Sequence, residues 1–141
     1  MSVRVADRGL SKMEYVHNAQ QIVFLVNDRI TKYMNKVSND KRYKDFVKAS
    51  TYSIWNSPIF HAQLVFKYCE MFYQEKQKNK RDTNILFACL SKANKNLNLL
   101  ESSTQTFYAK FESIVKDKFI SLLTSKIDYQ RSLLDGCKRA I

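Results

Sequence analysis

The chain has 141 residues, 45% of them hydrophobic and 13% aromatic, and carries a net charge of +11 from 24 Lys and Arg against 13 Asp and Glu. That length suits one domain with a real core and excludes a wholly disordered chain. Two glycines and one proline exclude an all-β fold, whose many turns need residues that tolerate positive φ or fix φ at about −65°.

Residues 1–10 show no apolar periodicity and read as an N-terminal arm, leaving 11–141 as one helical domain. Ser11 and Glu14 have the spacing of a capping box, with Leu10 and Tyr15 placed to close a hydrophobic staple. From there Val16, Ala19, Val23, Val26, Ile30, Tyr33 and Val37 recur at steps of three and four, one face of a helix that stops near residues 38–40.

The second segment begins near Lys41, with Tyr43, Phe46, Val47, Ser50 and Ile54 on one face. The phase resumes after Pro58 with Leu64, Val65, Tyr68, Cys69 and Phe72. Proline removes a helical hydrogen bond and clashes with the preceding turn, so the pattern predicts one long helix kinked near Pro58, or failing that two shorter ones. The third segment, from about Thr83, offers Leu86, Cys89, Leu90, Ala93, Leu97 and Leu100.

Ser102 and Gln105 repeat the capping-box spacing ahead of a fourth segment. That segment bears Tyr108, Phe111, Val115, Phe119, Leu122, Ile127, Leu133, Leu134 and Cys137. Four amphipathic segments with short connections predict an all-α fold, an antiparallel up-down four-helix bundle.

Three scattered cysteines (Cys69, Cys89, Cys137) on apolar stretches read as reduced core thiols. No leader-like opening and no apolar run of about 18 residues occurs, so the expectation is a cytoplasmic protein without a membrane role. Catalysis finds little footing. His17 and His61 lie on different segments; Glu14 and His17 are spaced i and i+3, half of a dinuclear metal motif, and Glu14 is claimed by the cap. Two isolated glycines cannot build a phosphate-binding or nucleophile loop. The expectation is no enzyme activity, no cofactor and no metal.

The basic residues are better patterned. Arg29, Lys32 and Lys36 form one stripe beside the apolar face of the first helix. Lys41, Lys44 and Lys48, with Arg42 beside them, repeat the spacing at the start of the second. A turn near Asn39 would bring both stripes to one end, while Lys76, Lys78, Lys80 and Arg81 fall at the other. Charge spread this way suits backbone phosphates, which need no base-reading geometry. Tyr52, Trp55 and Tyr73 lie off the main stripe of the second helix, as aromatics at a subunit interface would.

The segment 8–22, Arg8 through Glu14, His17 and Ile22, resembles the opening of a family of small bacterial four-helix bundles. The stretch from Lys80 through Ala93 and Asn94 to Leu100 resembles that family's third helix. The family includes the accessory variability determinant (Avd) of diversity-generating retroelements and proteins encoded within large-subunit ribosomal RNA genes. The resemblance implies a basic homo-oligomer, a pentamer of bundles, whose partners are a reverse transcriptase and its template RNA or cDNA. It brings no catalytic residues. The reading is therefore a non-catalytic nucleic-acid-binding accessory protein, with RNA, DNA or both as ligand. The rival is a structural adaptor whose basic surface docks an acidic protein.

Overall fold

The computed structural model describes residues 2–41, 51–110 and 118–141, and the side chains of 14–41, 57–109 and 118–141. Four helices carry it: α1 Ser2–Ser38, α2 Thr51–Lys76, α3 Thr83–Lys110 and α4 Phe119–Arg139. No strand occurs among the described residues, and no helix is long and apolar enough to cross a membrane.

The helix boundaries correct two readings. The helix α1 starts at Ser2, so the segment read as an arm is helical and Ser11 is interior to it. Propagating an existing helix needs no new nucleus, and one glycine costs only about 1 kcal/mol, so Gly9 does not stop it. Glu14 is no cap; its carboxylate accepts a hydrogen bond from the Tyr129 hydroxyl on α4. Likewise Ser102 does not open a helix, because α3 runs on to Lys110. There the Thr104 and Thr106 hydroxyls donate back to the Leu100 and Ser102 carbonyls at 2.7 and 3.1 Å. This local bonding lets hydroxyl side chains sit inside a helix. In α2, Pro58 lies inside one helix, not between two; the predicted start near Lys41 falls outside the described residues apart from Lys41 itself.

Each helix backbone packs on two neighbours, in the cyclic order α1, α2, α3, α4 and back to α1. Along α1 and α4 the contacts run in opposite senses: Asn18 reaches Gln130, Gln21 accepts from Lys126, and Tyr33 stacks near Phe119. Between α2 and α3, His61 meets Asn96 and Lys92 lies over Tyr68.

The core is the inward stripe of every helix. On α1 it is Tyr15, Ala19, Ile22, Val26, Ile30, Tyr33 and Val37; Val16 and Val23 sit half-buried at its edge. All six predicted apolar positions of α3 are buried. On α4 the buried series is Phe119, Leu123, Ile127, Gln130 and Leu134, while Leu122 is 43% exposed. Steps of four and three from Phe119 keep one face; Leu122, one position before the buried Leu123, turns outward. Each large side chain so buried contributes about 1.5–3 kcal/mol.

Polar groups inside the core are paired. Gln130, fully buried, donates to the Tyr15 carbonyl at 2.7 Å and to Cys69 Sγ at 3.3 Å, and accepts from Asn18 at 2.8 Å. At the α2–α3 connection, buried Glu75 accepts from Lys78 Nζ at 3.0 Å and from the Asp82 amide at 3.2 Å. Asp82 in turn caps α3, its Oδ1 accepting from the Asn84 and Ile85 amides, a bond worth about 1 kcal/mol.

Candidate functional site

Two levels along the bundle locate the basic residues. At one end Tyr15 meets Phe72 edge to face, with centroids 5.5 Å apart. At the other, Tyr33 sits between Phe107 and Phe119. The α1 stripe Arg29, Lys32, Lys36, followed by Lys41, belongs to the Tyr33 end. Lys76, Lys78, Lys80 and Arg81 belong to the Phe72 end, because Lys76 is one helical turn beyond Phe72. From Tyr15 to Lys36 along α1 is roughly 30 Å at 1.5 Å per residue. Arg42, Lys44 and Lys48 lie outside the described residues, so the joining of their stripe to that of α1 does too.

The cations are not equivalent. Asp28 takes Lys32 at 3.2 Å and Arg29 at 3.9 Å, and Glu75 takes Lys78. No carboxylate pairs with Lys36, Lys41, Lys76, Lys80 or Arg81 among the described residues. Lys36 lies over the Tyr33 ring and Lys76 over Phe72, each near 5.8–5.9 Å. Exposed ion pairs are worth about 0.2–1 kcal/mol, so Lys32 can be drawn away by a phosphate. Lys78 is held by a buried partner and is the least available of the set.

Charge spacing along the sequence missed two places. Lys138 and Arg139 occupy the last turn of α4, beside Gly136 and Ala140 at the Phe72 end. Their sequence signal was ordinary, since cations commonly complement a helix C-terminus. Lys67 and Lys92 flank the half-buried Tyr68 from two helices at 5.9 and 5.4 Å, a pairing visible only after α2 and α3 pack. Of the aromatics read as an interface, Tyr73 packs against the core. The side chains of Tyr52 and Trp55 lie outside the description. Among the described residues, Phe24 at 64% and Phe60 at 55% are instead the most exposed large apolar groups.

The cysteine thiols and Tyr15 keep their protons at neutral pH. Burial pushes the Cys69 thiol up to about 12 and raises Tyr15 further, while Gln130 donating to Sγ opposes the cysteine shift. Burial also raises Cys89 and Cys137, with Lys92 and Lys76 respectively pulling back. His17 bonds Gln21 at 3.0 Å and His61 bonds Asn96 at 3.1 Å. Among the described residues no three His, Cys, Asp or Glu gather to hold a metal ion.

At the Phe72 end the core opens into a cavity of about 620 Å³ between the C-terminal ends of α2 and α4. Its lining includes the apolar Tyr15, Phe72, Leu133 and Cys137 and the cations Lys76 and Arg81. No family model, curated protein or solved structure matches this chain.

Proposed function

We propose that the protein is a non-catalytic accessory protein that binds the phosphate backbone of RNA or DNA through its two basic ends. The observation that carries this reading is the set of cations without carboxylate partners among the described residues: Lys36 and Lys41 at one end, Lys76, Lys80 and Arg81 at the other. They stand on a domain of net charge +11. Unneutralised cations set roughly 30 Å apart match a polyanion of that length. Such contacts position a strand without reading its bases.

The resemblance of residues 8–22 to the retroelement accessory family supplies the partner: a reverse transcriptase, with its template RNA or cDNA as ligand. It also supplies the assembly, a homo-oligomer and in that family a pentamer. Phe24 and Phe60 favour self-association, since large exposed apolar groups suit an interface core better than water.

Binding of duplex and single-stranded DNA and RNA across a salt series tests the reading. Each phosphate contact contributes about −0.9 to the slope of log K against log salt on duplex DNA and about −0.7 on single strands. A slope of zero, or no binding at all, leaves the docking of an acidic protein as the role of the basic surface.

A further inference from the structure

We propose that the cavity at the Phe72 end is a binding site for a small amphiphilic anion: an apolar body bearing one carboxylate, phosphate or sulfonate. This goes beyond nucleic-acid binding, with which it shares the cations Lys76 and Arg81. The volume, about 620 Å³, lies within the roughly 300–1,000 Å³ of sites that enclose small ligands. Much of its lining is apolar, from Tyr15, Phe72, Leu133 and Cys137.

Gln77 and Ser132 add polar groups to the lining, and its two cations, Lys76 and Arg81, have no carboxylate partner among the described residues. Lys78, two positions from Lys76, is by contrast neutralised by Glu75. A wholly polar anion would leave the apolar lining wet, and a neutral apolar molecule would leave two cations unused.

The sign of the ligand follows from the local charge balance. The C-termini of α2 and α4 both lie at this end and together present about one negative charge to the rim. Against this stand Lys76 and Arg81, joined by Lys138 and Arg139 on the last turn of α4, so the local balance stays positive. Gly136 supports the cavity independently. A Cβ built there meets nothing within 4 Å, so no packing contact demands a glycine. The residue sits inside α4, where glycine is otherwise unfavourable relative to alanine. Its absent side chain widens the pocket.

The test uses the full chain and 8-anilinonaphthalene-1-sulfonate as probe, read by fluorescence. Wild type should bind it saturably, one per chain, with displacement by decanoate or adenosine monophosphate and none by decanol. The two competitors distinguish an acyl body from a nucleotide one. Lys76→Gln and Arg81→Gln should each weaken the probe about fivefold, as loss of one exposed charge-assisted contact does. Gly136→Phe should abolish saturable binding while leaving helical content unchanged.

Should Gly136→Phe fail to fold, wild type supplies the second readout. Bound decanoate or adenosine monophosphate should shield Cys137, the pocket thiol, from N-ethylmaleimide, as mass spectrometry of the peptide would show. The proposal is overturned by non-saturable probe binding to wild type, by displacement with decanol equal to decanoate, or by wild-type affinity in a folded Gly136→Phe. Cys137 alkylation unaffected by saturating decanoate and adenosine monophosphate overturns it equally.

Discussion

Gln130 and Cys69 stand on α4 and α2, helices whose backbones do not touch, and Gln130 Nε2 donates to Cys69 Sγ at 3.3 Å across the centre of the bundle. The same amide bonds the Tyr15 carbonyl and accepts from Asn18, so one side chain ties three helices. Gln130→Ala takes from the Asn18 amide one of its two acceptors, leaving the Lys126 carbonyl at 3.2 Å, and a buried N–H left without a partner costs about 1–3 kcal/mol. Added to the cavity, the loss should reach about 3–5 kcal/mol by urea denaturation. The double variant Asn18→Leu/Gln130→Leu should lose less than the sum of its singles, because both partners of the bond are then apolar.

Exposure separates two adjacent leucines on α4. Leu123 is 1% exposed and Leu122 43%. Leu123→Ala should cost about 2–5 kcal/mol and Leu122→Ala less than about 0.5. Leu90→Ala, on α3, belongs with Leu123. Equal losses at 122 and 123 in chemical denaturation would contradict the placement of the α4 stripe.

Alkaline pH should weaken the fold. The Cys69 thiol rises from 9.0 to about 12 on burial, so the folded state holds its proton where the unfolded chain has lost it. The contribution is complete below pH 9 and lost progressively as pH rises from 9 towards 12. Thermal midpoints measured from pH 7 upwards should fall above about pH 9, and Cys69→Ala should fall less steeply, from a lower start.

Much of the fold was legible from apolar periodicity. The six α3 positions and the run Ala19, Val26, Ile30, Tyr33 and Val37 are all buried. Boundaries were harder, for a physical reason: the Ser11–Glu14 and Ser102–Gln105 spacings are compatible with a cap and with a helix interior alike. Tertiary contacts such as Tyr129 with Glu14 decide between them. At the candidate site, the division of basic residues between two ends was readable. Sequence spacing could not show which cations are spent on Asp28 and Glu75, nor that Gly136, Leu133 and Lys76 border one cavity, because each depends on neighbours from another helix.

Self-association through Phe24 and Phe60 predicts a mass above the 16.6 kDa monomer in light scattering at micromolar concentration. Phe24→Ser/Phe60→Ser should return the monomer with helical content unchanged. A wild-type monomer would remove the oligomer from the account.

The central claim is that the unpaired cations contact phosphates. Each reversal to glutamate removes two charges, so Lys36→Glu with Lys80→Glu takes the subunit from +11 to +7. Both side chains are exposed, where substitutions usually change stability by less than about 0.5 kcal/mol. The deciding measurement is the affinity of wild type and this double variant for two unrelated sequences of single-stranded RNA across a salt series. The account predicts a steep loss at low salt, equal for both sequences, with a salt slope shallower by about 1.4 if two phosphate contacts are gone. Unchanged affinity and slope in a folded double variant would contradict it.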